Sequence, residues 1–286
     1  MRRAPLLLLV AFGCSDPGPR SVQIPLTLSG DASSSEIETA TGAVLRLDEA
    51  RLAFGPLYFC ASPGGAESCD VARLEWLGSA IVDLLEGAAR RAGTLEGSSG
   101  KVASYLCDLG ISSQLTSDEP FVLDAAAELG DNSLRLRGTV EFGSRSLPWS
   151  AALALAQTDA TVQGTPLIQT PQSQRFAEEI TTDLAEVSVR FSAARWLTSV
   201  DFSPYFAEEP CSPGAIVCRG DSMVACPEEE EPEDEKTTDC LAQDQVCVPG
   251  AGCQDELRLD GAALRALKAN VMSNFDPLIS FEKRAY

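Results

Sequence analysis

Apolar and polar residues alternate along most of this chain. Val22, Ile24, Leu26 and Leu28 stand two apart with polar or small neighbours, the period of a strand with one buried face. Leu45 and Leu47 continue the theme, and Ala50, Leu52 and Phe54 resume it with opposite parity. This phase slip at Asp48–Glu49 calls for a bulge or a turn, because one extra residue turns every later side chain to the other face. Gly55-Pro56 punctuates, and Leu57-Tyr58-Phe59 reads as a short strand. Further strands are expected at 71–76, 80–85, 101–109, 120–125, 133–142, 147–156 and 186–193. Leu134-Arg135-Leu136-Arg137 and Thr139-Val140-Glu141-Phe142 alternate most clearly. Clusters such as Gly97-Ser98-Ser99-Gly100 divide the runs. Many short strands so punctuated predict a mainly β fold, an antiparallel β-sandwich or open barrel.

Two peripheral helices are expected. Phe176, Ile180, Leu184 and Val187 follow helical spacing, as do Leu264, Leu267, Val271 and Phe275, with Asp260 placed as an N-cap. Leu278-Ile279-Ser280-Phe281 then reads as a last strand. The expected organisation is a β-sandwich-like domain over 21–205, a cysteine-rich acidic insertion over 206–256, and a helix and strand over 257–286 that complete the β domain. Trp76, Trp149 and Trp196 sit in strand-like, apolar surroundings that favour core packing over sugar stacking.

The N-terminus has a different character. Arg2 and Arg3 precede an apolar centre, Leu6-Leu7-Leu8-Leu9-Val10, and small residues at Ala11 and Gly13 complete a secretory signal peptide over 1–13. The apolar stretch is far short of the ~20 residues of a transmembrane helix. Cys14 follows, and Ser15 to Arg20 is a polar tether. A cysteine directly after a small residue and before a flexible tether resembles the lipobox of bacterial lipoproteins, although Ala11 and Phe12 stand where that family usually carries Leu and a small residue. The resemblance implies diacylglycerol on the Cys14 thiol and a third acyl chain on its new amine. The competing expectation is ordinary cleavage near Gly13 that leaves Cys14 a free thiol.

Charge narrows the partners. The 286 residues carry 22 Lys+Arg against 42 Asp+Glu. Removing Arg2 and Arg3 with the signal leaves 20 basic residues against 42 acidic ones, a net −22. No basic patch is visible in the sequence, so nucleic acid is not an expected partner. Histidine is absent, which removes Ser-His-Asp triads, Cys-His dyads and His-ligated metals.

Of ten cysteines, six crowd between Cys211 and Cys253, at Cys211, Cys218, Cys226, Cys240, Cys247 and Cys253. In an exported chain this spacing reads as a disulfide framework, and it lacks the C-x2-C pairs of zinc sites. Three disulfides are expected, with 15 pairings open. Cys211-Ser-Pro-Gly, Val217-Cys218-Arg-Gly-Asp, Asp239-Cys240, Gln245-Val246-Cys247-Val248 and Gly252-Cys253 together resemble the small cysteine-rich modules of exported lipoproteins from gliding and predatory Gram-negative bacteria. That resemblance implies a location more than an activity. Cys60 and Cys69 flank a Ser62-Pro63-Gly64-Gly65 loop that could join them, leaving Cys107 as an inert buried thiol; a Cys60–Cys107 bridge is the alternative.

Catalytic motifs fail inspection. Ser98-x-x-Lys101 and Ser280-x-x-Lys283 both fit a Ser-Lys pattern, in unrelated contexts and without companion motifs. Gly93 to Lys101 lacks the hydroxyl residue and the first glycine of a P-loop. Arg219-Gly220-Asp221 lies in the cross-linked region, where chance explains it. Glu228 to Glu231 and Glu233-Asp234-Glu235 read as a solvated acidic loop rather than an ordered cation site. The expectation is a non-enzymatic, lipid-anchored protein of the cell envelope with a binding or structural role. It would be held to the membrane by its N-terminal lipid, take an envelope protein or glycan as partner, and need no cofactor or metal. A carboxylate-dependent polysaccharide hydrolase and a divalent-cation-binding protein are the alternatives.

Overall fold

The computed structural model describes residues 18–63, 69, 72–112, 121–156, 167–169, 176–207, 210–227 and 236–284. The expected signal peptide, Cys14 and the acidic run 228–235 lie outside them. The fold is mainly β, with a curled half-barrel sheet and few helices.

The strand alternation at the start of the chain becomes β1 (Ser21–Ser29), which buries Val22, Ile24, Leu26 and Leu28. A short β2 (Glu36–Glu38) leads into the long β3 (Val44–Phe54). The parity change falls where the sequence places it. In β3, Leu47 faces Gly138 and Glu49 faces Arg137, so Asp48 is the bulged residue. A Cβ on Gly138 would lie 1.9 Å from the Arg46 carbonyl oxygen, so only glycine fits opposite the bulge. Beyond the cis Gly55–Pro56 peptide, the chain forms β4 (Leu57–Cys60), β5 (Ala72–Trp76), β6 (Ala80–Asp83) and β7 (Arg90–Ser98). β8 (Gly100–Val102), β9 (Ser104–Cys107), β10 (Ile111–Ser112) and β11 (Phe121–Val122) follow. The run expected as a strand over 120–125 is β11 followed by a helical turn, α1 (Asp124–Glu128). A tight hairpin joins β12 (Leu134–Phe142) to β13 (Arg145–Leu153).

The expected helix at 176–187 is not formed. That stretch contains β14's successors, β15 (Glu178–Ile180) and β16 (Leu184–Arg190), where β14 is Ile168–Gln169. Its apparent helical spacing comes from the turn at 181–183 and a register shift between Leu184 and Glu186. From Val187 onward Val187, Val189 and Phe191 alternate into the core. Trp196 lies on a short helix, α2 (Ala194–Leu197), not on a strand.

The cysteine-rich stretch folds as β17 (Ile216–Arg219), β18 (Ser222–Ala225) and β19 (Lys236–Asp239) in one sheet, and β20 (Val246–Val248) with β21 (Gly252–Gln254) in another. The chain then returns through β22 (Leu257–Arg258), α3 (Gly261–Ser273) and β23 (Leu278–Lys283). Asp260 stands at the N-cap of α3 without a side-chain capping bond; its carboxylate accepts from the Tyr205 hydroxyl instead.

Two sheets enclose the core. One has eight strands in the order β14-β9-β4-β5-β7-β1-β16-β23. The other runs β2-β3-β12-β13-β22, with β6 on β3. Most pairs are antiparallel, but β1–β16 and β13–β22 are parallel. Inner faces of both sheets contribute to a common cluster that holds Leu26, Leu52, Phe59, Trp149 and Val187. α3 closes one end: Phe275 stacks on Trp196 at 5.9 Å, and the Asn270 amide donates to the Trp196 carbonyl. All three tryptophans are buried.

Candidate functional site

β12 buries Leu134, Leu136 and Val140, so strand parity turns Arg135, Arg137 and Glu141 outward. Register then decides their neighbours. Arg137 lies beside Glu49 of β3 and Ser150 of β13, and Ser150 lies beside Arg258 of β22. In the adjacent row Arg135 faces Arg51 on one side and Ala152 on the other, and Arg51 faces Asp83 of β6. Arg46 sits two rows away, paired with Glu36 and Glu141. Arg46, Arg51, Arg135, Arg137 and Arg258 thus share one sheet face, interleaved with the carboxylates of Glu36, Glu49, Asp83, Glu141 and Glu256. Their positions are scattered over more than two hundred residues, so no basic run marks them.

The end of the cysteine-rich module walls this face. The Cys240–Cys253 disulfide and the β20–β21 hairpin fix the segment leading to Asp255 and Glu256. Gln245 donates to Asp255 at 3.1 Å. Glu256 accepts from the Ser150 hydroxyl at 2.8 Å and lies 3.5 Å from the Arg137 guanidinium. Between wall and sheet runs a groove of about 590 Å³, lined by Glu49, Arg135, Arg137, Ser150, Asp255 and Arg258 among others.

The charges in the groove are unevenly matched. Glu256 is 23% exposed and has two partners, whereas Arg137 keeps 66% of its side chain in solvent. Arg51 reaches Glu49 at 3.6 Å. Among the described residues, the guanidinium groups of Arg135 and Arg258 have neither a hydrogen bond nor an ion pair. Arg135 also opposes Arg51 directly across two strands, an arrangement that destabilises a sheet.

A second buried polar site lies at the far sheet. Asp108, 2% exposed, accepts from the Ser112 hydroxyl at 2.6 Å and the Leu167 N–H at 2.7 Å. Burial raises its pKa above the usual carboxylate range, and those two bonds offset part of the rise. Burial, followed by the Asp108 charge, pushes the Cys107 thiol well up. The two hydrogen bonds to Asp108 hold chain segments together.

The cysteines pair as Cys60–Cys69, Cys211–Cys226, Cys218–Cys247 and Cys240–Cys253, and Cys107 is a buried free thiol. Among the described residues, no hydrogen bond joins Ser98 to Lys101 or Ser280 to Lys283; Ser280 instead shares a hydrogen bond with Ser188. Gly220 and Asp221 form the turn between β17 and β18, and the Gly220 carbonyl accepts from Arg145. No group of three metal-ligating side chains occurs among the described residues. The Arg–Glu face was not singled out by sequence. Its only trace there is the Leu-Arg-Leu-Arg alternation, which gives the facing of two arginines but not their company.

No known protein family matches this chain, and no curated protein does. Among solved structures it is similar to MbnP from Methylosinus trichosporium, at 12% identity over 65% of this chain and 80% of that one, with a TM-score of 0.29. A likeness of that size carries no argument about function. The four disulfides belong to an oxidising, exported environment. No described helix is long and apolar enough to cross a membrane.

Proposed function

We propose that this chain is a lipid-anchored protein of the cell envelope that binds a ligand, without catalysing a reaction, in the groove between the arginine-bearing sheet face and the cysteine-rich module. One observation carries the binding reading: among the described residues two guanidinium groups of the groove, Arg135 and Arg258, have neither a hydrogen bond nor an ion pair. Arg135 also lies directly opposite Arg51, a like-charge pairing that reduces stability and that a bound anion would offset. The anchor rests on the sequence of residues 1–20, and each methylene of an acyl chain adds roughly 0.8 kcal/mol of membrane affinity.

Two measurements test the two halves. Cys14→Ser should move the protein from the membrane fraction to the soluble one, and an unchanged distribution would remove the lipid. For the groove, thermal shift against a panel of acidic sugars, neutral sugars and acidic peptides should reveal at least one compound that raises the Tm of the native protein. The same compound should leave the Arg135→Gln/Arg258→Gln variant unmoved. Equal shifts in both proteins, or none in either, would end the binding reading.

A further inference from the structure

Resting on that groove, we infer that its ligand is an acidic carbohydrate, a sugar chain whose residues carry carboxylates as well as hydroxyls. The argument starts from the spacing of the cations. Arg135 and Arg137 are two residues apart on β12, about 7 Å at the rise of a strand. Arg137 and Arg258 lie two strands apart with Ser150 between them, about 10 Å at ordinary strand separation. Three guanidinium groups on a surface of that size suit several anionic groups on an extended chain rather than one compact anion. Each guanidinium presents a planar fork of donors that matches a carboxylate.

The groove also offers acceptors. Asp255 has one oxygen engaged by Gln245, and Glu49 makes only the long 3.6 Å contact with Arg51. Carboxylates interleaved with arginines are poor company for a ligand that is anionic throughout, because they would repel it. They suit a ligand that alternates anions with hydroxyl donors, since sugar hydroxyls donate to carboxylates while the sugar's own acid group meets an arginine. Nucleic acid fits badly: none of the groove's lining residues is aromatic, so bases would find no stacking platform.

The test uses the full chain in calorimetric titrations with an oligogalacturonate, a neutral maltooligosaccharide and an oligoglutamate. The oligogalacturonate should bind, and raising the salt should weaken it. Arg135→Gln with Arg258→Gln should weaken it by roughly tenfold or more, as expected for two lost charge-assisted contacts. Arg195→Gln, which breaks a pair with Asp276 on another part of the fold, should leave binding unchanged. Without ligand, Arg135→Gln should melt at the same temperature as the native protein or higher, because it relieves the opposition to Arg51; a lower Tm would make Arg135 a structural residue and overturn the inference. Arginine-dependent binding of the oligoglutamate alone would overturn the carbohydrate while the binding groove stands. Arginine-dependent binding of neither compound would overturn the carbohydrate, and the thermal-shift panel then decides separately whether the groove binds anything else. Equal binding of the neutral sugar would overturn the role of charge.

Discussion

Asp108 shows how one buried carboxyl sets a pH dependence. Its two bonds tie the end of β9 to Ser112 of β10 and to Leu167 at the start of β14. Because burial raises its folded pKa above the unfolded value near 3.9, the group favours folding most below that value. The contribution fades as pH climbs through the raised folded value. Burial together with the same charge lifts the Tyr58 phenol further up, away from neutrality, so neither Tyr58 nor Cys107 confuses a scan between pH 4 and 7. Asp108→Asn keeps the acceptor for Leu167 N–H and removes the buried charge. Its Tm should therefore gain on the native protein as pH rises through that window. Asp108→Ala leaves both donors without an acceptor and should lose about 1–3 kcal/mol at every pH. Melting curves of the three proteins decide the matter; a constant offset between Asn and Asp would show that the native pKa is ordinary.

At the scale of elements, the cysteine-rich module holds together differently from the sheets around it. Its small clusters consist largely of half-cystines, with Cys218, Cys240 and Cys247 in one and Val217, Val224 and Cys226 in another. The Cys218–Cys247 bond spans 29 residues, which corresponds to about 3–4 kcal/mol of loop-closure entropy. Cys218→Ser with Cys247→Ser should lower the stability of the module by about that amount and expose its backbone to hydrogen exchange. The β1, β12 and β16 amides, held by the apolar core, should stay protected. Loss of protection in both at once would show that module and sheets unfold together. The same contrast explains what could be read from sequence. β1, β3 and β12 were legible because one face of each is apolar at a period of two, and even the Asp48 bulge left its mark. β7 was not, because packing demands glycine within it: a Cβ on Gly93 would meet the Trp76 indole at 2.4 Å, and one on Gly97 the Arg73 carbonyl at 1.9 Å. A strand that must admit its neighbours so closely looks like a loop. β15 and β16 looked helical because a turn and a bulge placed their apolar residues three and four apart. The arginine face stayed hidden because facing is local, whereas register depends on where the chain returns after the module.

For the molecule as a whole, charge and sulfur chemistry can be read together. An acidic chain repels itself at close quarters, and the groove, where Arg135, Arg137 and Arg258 balance Glu49, Asp255 and Glu256, is the place where an anionic ligand would meet the least repulsion. Sulfur records how the chain reached such a surface. Of ten cysteines, eight are joined in four disulfides, and Cys107 is fully buried. That leaves Cys14 as the variable. If a diacylglycerol thioether occupies its sulfur, membrane-extracted native protein treated with iodoacetamide and no reductant should gain no label. Unfolding in guanidinium should then expose Cys107 alone and add a single group. If the leader is cut near Gly13 without acylation, Cys14 should label in the native state and denaturation should raise the count by one more. Intact mass before and after labelling separates the two cases, since the acylated chain is heavier by its lipids and lighter by one alkyl group. More than two labels without reductant would mean that a disulfide is missing, and with it the argument for an oxidising compartment. The count thus joins the compartment, the anchor and the core thiol in one measurement, because each cysteine's reactivity is set by what the fold and the membrane leave accessible.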